Sequence, residues 1–156
     1  MSNFSTGAEA TFSLAAAAPA TFNDTGYAAL TFTQVGKLEN IGDIPTRVYE
    51  LVRLQLLESR VTAKQKGSYD LGSQTIRFAI DPDDAGQALV RTAVNSDDSY
   101  SIKMNHPELG TIYARALIMG APATWGSTND PSMVSLTLEY TPATDTDDGI
   151  VAVPVT

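Results

Sequence analysis

Apolar and polar residues alternate with a period of two through much of the chain, the spacing that sends successive side chains to opposite faces of an extended strand. Residues 74–80, QTIRFAI, set Ile76, Phe78 and Ile80 against Thr75, Arg77 and Ala79. Residues 99–105, SYSIKMN, set Tyr100, Ile102 and Met104 against Ser99, Ser101 and Lys103. Residues 133–141, MVSLTLEYT, set Val134, Leu136, Leu138 and Tyr140 against Ser135, Thr137 and Glu139. Each predicts a strand with one dry and one wet face. Residues 111–119, TIYARALIM, are apolar on both faces apart from Arg115, which predicts a strand covered on both sides. Residues 27–38 and 10–14 read as further strands. Clusters of Gly, Pro, Asn and Asp such as ENIGDIP, NHPELG and GSTNDPS separate the pieces. Residues 47–60, RVYELVRLQLLESR, fit a helical or an extended template; the β-branched and basic residues that follow favour the extended one.

The alternation breaks at residues 81–95, DPDDAGQALVRTAVN, which predict a helix over 82–94. Asp81 is placed to cap it, Pro82 suits the first helical position, and Asp83 and Asp84 lie at the positive end of the helix dipole. Ala85, Leu89 and Ala93 form an apolar stripe with Val90 and Val94 beside it, and Asn95 can end it. Three carboxylates in four residues therefore read as a helix start. An acid/base pair would draw its carboxylates from different elements facing one cleft.

The chain of 156 residues is the length of one domain with one core. It has no cysteine, which excludes disulfides and thiolate chemistry. The first charge is Glu9 and the first basic residue Lys37, so the alanine-rich start is not read as a signal peptide, and no apolar run reaches a bilayer-spanning length. The chain reads as soluble and unexported. Net charge is −8 and is carried by residues 81–156, whereas residues 46–66 hold five basic side chains against Glu50 and Glu58. So acidic a protein is a poor ligand for duplex nucleic acid. His106, the single histidine, lies between strands with no Gly-x-Ser-x-Gly elbow anywhere, and reads as a turn residue. DTDDG at Asp145–Gly149 lacks the spacing of a calcium loop and reads as a solvated linker. Trp125 reads as a packing residue. No catalytic residue, cofactor site or metal site is predicted.

One order of motifs is familiar. VGKLENIGDI is followed by a basic KGS turn with Gly72 soon after, then ID with DDAGQALV, then SDDSY opening a hairpin, then a last strand ending in Thr-Pro. Over residues 30–142 this resembles the major tail tube proteins of long-tailed, non-contractile bacteriophages. The resemblance implies a mainly β fold, a β-sandwich or barrel with one flanking α-helix, in which each subunit lends about four strands to an inner barrel. It implies a structural virion protein, assembled in the bacterial host cytoplasm, whose hexameric rings stack into a tube with tape-measure and tail terminator proteins as partners. DNA would pass through during ejection without specific binding, and no enzyme activity or membrane contact is implied. On that plan residues 1–25 are an N-terminal arm, 26–142 the β domain with a long basic arm at 46–73, and 143–156 a C-terminal tail.

Elementary physics is compatible with that expectation. Strands in one small domain leave edges that neighbours can cover, and head-to-tail contacts close them into rings. The basic segment can dock on acidic surface of a neighbour, with Arg53, Arg60, Lys64 and Lys66 as inter-subunit residues. About 24 strands, four from each of six subunits, would close a barrel roughly 48 Å across at ordinary spacing and tilt. A neutral or acidic wall lets DNA slide, and Ser135, Thr137 and Glu139 are candidates to line it. The alternatives are another virion shell or decoration protein, a carbohydrate-binding β-sandwich using Trp125 with Tyr113 or Tyr49, and a hydrolase using Asp83 or Asp84.

Overall fold

The computed structural model describes residues 6–144 and 146–154. Along them run β1 (Thr11–Ala15), α1 (Asp24–Ala28), β2 (Thr33–Gln34), β3 (Leu38–Asn40), β4 (Val48–Leu54), β5 (Ala63–Asp70), β6 (Ser73–Ala79), α2 (Ala85–Val94), β7 (Tyr100–His106), β8 (Gly110–Gly120), β9 (Ala123–Thr124), β10 (Met133–Tyr140) and β11 (Val151–Val153). The main sheet is antiparallel and ordered β2-β1-β7-β8-β10-β6-β3, with β11 beside β8 and β9 beside β10. Its outermost strands, β2 and β3, span only two and three residues, a common way of blunting an exposed edge. β4 and β5 pair only with each other.

The period-two reading becomes a core. Ile76 and Phe78 on β6, Tyr100, Ile102 and Met104 on β7, Ala114, Ala116 and Ile118 on β8, and Leu136, Leu138 and Tyr140 on β10 are all buried in one cluster. Phe12 and Leu14 from β1 and Val90 and Ala93 from α2 complete it. The sheet thus curls around its apolar face and α2 flanks the opening. The result is mainly β with one flanking helix, as the pattern predicts.

The helix start differs in detail from expectation. Its cap is Asp84 rather than Asp81, and Pro82 lies in the preceding turn. Asp81 closes that turn, with its side chain accepting from the Asp83 N–H at 3.1 Å and its carbonyl from the Asp84 N–H at 3.2 Å. The Asp84 carboxylate then accepts from the N–H groups of both Gln87 (2.9 Å) and Gly36 (3.1 Å). Gln87, buried, donates to the carbonyls of Gly36 (3.1 Å) and Ala79 (2.8 Å) and accepts from the Asp81 N–H (2.9 Å). A side chain at Gly36 would meet the Asp84 carboxylate at 2.7 Å, and one at Gly86 the Gln34 carbonyl at 2.1 Å. The VGK and DDAGQ motifs are therefore two halves of one lock between α2 and the sheet.

Three other expectations need correction. Residues 27–38 are not one strand: Asn23 accepts from the Gly26 N–H at 2.8 Å and starts the short helix α1, leaving only β2 and the first residue of β3 extended. The helical turn delivers Tyr27 to a stack on Tyr113, 5.2 Å between ring centres, with its hydroxyl donating to the Gly149 carbonyl at 2.8 Å. Ser101 is not wet. It is buried with Arg115, whose guanidinium donates to the Ser101 hydroxyl (2.6 Å), the Ser99 hydroxyl (2.7 Å) and the carbonyls of Ser99 (3.0 Å) and Ala17 (3.2 Å). The loop after β1 thus covers the second face of β8, and four neutral acceptors solvate a charge that burial would otherwise penalise. Trp125 does not pack: it follows the two-residue β9 into a loop and is 86% exposed.

Candidate self-assembly surfaces

Of residues 47–60, Val48–Leu54 are extended, as expected, while 55–60 turn at the tip, and β4 returns along β5 as a hairpin standing off the body. Every residue of β4 is exposed, and all but one of β5. The register pairs Tyr49 with Tyr69, Leu51 with Lys66, Val52 with Gln65, Arg53 with Lys64 and Leu54 with Ala63. Partners share a face. One face therefore carries Tyr49, Tyr69, Leu51, Arg53, Lys64 and Lys66, with the Lys66 ammonium 4.7 Å from the Tyr49 ring centre. The other carries Val48, Val52 and Leu54. Arg60 sits in the tip beside Leu56, Leu57 and Val61, all three exposed.

Of thirteen large apolar or aromatic residues exposed among the described residues, nine belong to this hairpin. The sequence showed its charge; its uncovered apolar surface comes only from the structure, because alternation looks the same in a buried strand and a projecting one. An isolated two-stranded hairpin is marginal in water.

The arm is held at its root. Asp148, buried, accepts from the Arg47 guanidinium at 2.6 Å, from the Tyr69 hydroxyl at 3.5 Å, and from the Ile150 N–H at 3.2 Å. Arg47 also lies 5.4 Å over the Tyr69 ring. One carboxylate thus grips both strands where they leave the body. Burial works against the Asp148 charge, but the Arg47 hydrogen bond and the Ile150 N–H outweigh it and hold its carboxyl below the usual range. Asp148 was expected in a solvated linker. Asp145 of that stretch lies outside the described residues, but Asp148 is anchored and the segment continues into β11, which pairs with Thr111–Tyr113 of β8.

The candidate lumen residues share one surface. Ser135, Thr137 and Glu139 lie on the face of β10 opposite the core and pair with Arg77, Thr75 and Ser73 of β6. Arg77 reaches Glu39 at 3.6 Å. The charged residues of this surface, Arg77, Glu39 and Glu139, sum to −1.

Of the residues weighed for chemistry, His106, Asp84 and Tyr113 are engaged within the fold. His106 Nδ1 accepts from the Glu108 N–H at 3.1 Å and Nε2 lies 2.6 Å from the Thr6 carbonyl, so both ring nitrogens are engaged by backbone. Asp84 is engaged as a cap and Asp83 is exposed. Tyr113 is buried in its stack and cannot offer a face to a sugar beside Trp125.

No family model matches the sequence, and no curated protein does. Solved structures do match the fold. A chain from the tail of an empty GTA particle, refined with C6 symmetry, superimposes with a TM-score of 0.67 at 13% identity, covering 98% of this chain and 100% of that one. A chain of the SPP1 tail tube gives 0.60 at 12% identity, covering 94% and 77%. A chain of the 6-fold symmetrised anti-feeding prophage baseplate gives 0.64 at 10% identity, covering 90% and 93%. The chain has a tail-tube fold. Within that fold, β1 from the expected N-terminal arm and β11 from the expected tail both join the main sheet; of the expected arm at 46–73, residues 48–70 form the projecting hairpin, while Leu71 enters the core and Ser73 begins β6. Among the described residues no helix is long and apolar enough to cross a membrane.

Proposed function

We propose that this protein is a structural virion subunit whose copies close into hexameric rings and stack into a phage tail tube. The observation that carries the reading is the β4–β5 arm, which projects nine exposed apolar or aromatic residues that its own chain leaves uncovered. Exposed apolar surface on this scale marks a protein–protein contact, and an arm meeting a different surface on the next copy is a heterologous contact, the kind that closes rings or propagates filaments. Sixfold symmetry is supported by the GTA tail and the anti-feeding prophage baseplate, whose chains share the fold. Arg53, Arg60, Lys64 and Lys66 steer the arm to acidic surface on a neighbour and set its register. The β6–β10 polar face, with Ser135, Thr137 and Glu139, lines the channel. Its nearly neutral surface releases few counterions from passing DNA and so does not grip it. Tape-measure and tail terminator proteins are the remaining partners, and the tube works as a passive conduit without enzymatic chemistry.

Electron microscopy of the purified protein over a concentration series tests this. Hollow tubes or stacked rings with a sixfold end view are the expected result. Monomers at every concentration and ionic strength would overturn it.

A further inference from the structure

Four of the thirteen large apolar residues exposed among the described residues lie outside the arm, and two of these, Ile44 and Leu109, line one open groove. The groove has a volume of about 310 Å³ and is lined by Ile41, Ile44, Met104, His106, Leu109 and Ile112. It runs between the loop that leads into the arm and the β7–β8 turn. Among the described residues no Lys or Arg side chain lines it. Glu9 and Asp43, both exposed, adjoin lining residues in sequence, whereas Lys103 beside Met104 turns its ammonium toward the Phe32 ring, 5.9 Å away, so two acids flank the groove. The arm between residues 53 and 66 carries Arg53, Arg60, Lys64 and Lys66 against Glu58, a net +3, around the apolar tip of Leu56, Leu57 and Val61. Apolar centre and charged surround are thus matched in kind and opposite in sign.

We propose that this groove receives the arm tip of a second copy of the chain, Leu57 entering between Ile44 and Leu109 while Arg60 and Lys64 meet the acidic rim. The apolar insertion supplies the affinity and the charges select the register. Docking rests on the tube reading, but commits it to one pair of surfaces: the arm reaches a groove beside its neighbour's arm root, so arm and receptor alternate along the assembly.

The chain contains no cysteine, so introduced thiols report contact without interference. Leu57→Cys and Leu109→Cys single variants are each incorporated as a minority into wild-type assemblies, then together, and exposed to a mild oxidant. The expected result is a disulfide-linked dimer only where both variants share an assembly during oxidation, and none where the mixture is diluted to monomers before the oxidant is added. Tubes that form normally and give no 57–109 dimer overturn the groove while leaving the tube reading intact; absence of wild-type tubes overturns the tube reading itself. A link formed within single chains of the double variant after dilution also overturns the proposal, because the arm would then be folding onto its own groove. As a second measurement, Glu9→Lys with Asp43→Lys raises the critical concentration for assembly roughly tenfold, and Arg60→Glu with Lys64→Glu in the same chain restores most of it. Failure of that restoration, with both variants folded, counts against the charge matching.

Discussion

Leu57 gives the sharpest separation between assembly and folding. It is fully exposed at the arm tip, so burying it in a neighbour gains the whole transfer free energy of a leucine side chain, about 2 kcal/mol. Leu54 is 56% exposed and stands to gain about 1 kcal/mol on the same scale. Each added subunit docks one arm, so Leu57→Ser raises the critical concentration roughly thirtyfold, and Leu54→Ser with Leu57→Ser about a hundredfold. The isolated subunit loses nothing comparable, since an exposed substitution changes stability by about 0.5 kcal/mol or less, within about 2 °C in melting midpoint. Sedimentation of assembled material across a dilution series reads the first quantity, and thermal unfolding of the dilute protein reads the second. An unmoved critical concentration in tubes of normal appearance would refute the claim that the tip is buried on assembly. A large drop in midpoint would refute the claim that it is idle in the monomer.

Three further outcomes follow from contacts within the chain. Gln87→Leu strips partners from the Gly36 and Ala79 carbonyls and the Asp81 N–H; at about 1 kcal/mol each this lowers stability by about 3 kcal/mol and the midpoint by about 6–12 °C in a thermal melt. Asp148→Asn loosens the arm root, seen as faster amide exchange in residues 48–70 while the core amides stay protected. Because the folded Asp148 titrates below its unfolded value of about 3.9, its contribution is present above that value and lost as pH falls through the folded one. The midpoint difference between wild type and variant therefore shrinks toward zero on acidification below about pH 4; a constant difference would contradict the ion pair. Burial pushes the Tyr27 hydroxyl up to about 12, so the stability it lends is full below about pH 10 and lost between there and about 12. Tyr27→Phe removes this part of the alkaline transition at a cost of about 1 kcal/mol for the Gly149 hydrogen bond.

Wherever a strand keeps one face dry, its residues declare that in the sequence. β6, β7 and β10 were legible because Ile76 and Phe78, Ile102 and Met104, and Leu136 and Leu138 must all leave water, and period two is the only spacing that lets a strand do so. The helix at 85–94 was legible from its stripe and its acids, and the basic character of the arm from simple counting. What alternation cannot state is which face something else covers. Ser101 looks wet by composition and is dry because a loop from residue 17 closes over it and Arg115. Trp125 looks like a core residue and stands in solvent. Asp148 looks like tail and grips Arg47, 101 positions away. Val48, Val52 and Leu54 have a strand's spacing but no core to enter. Local sequence sets each segment's conformation through neighbours a few bonds away, whereas the arm's exposure, its clamp and its facing groove depend on contacts between distant parts of the chain, which come into being only when the sheet has closed.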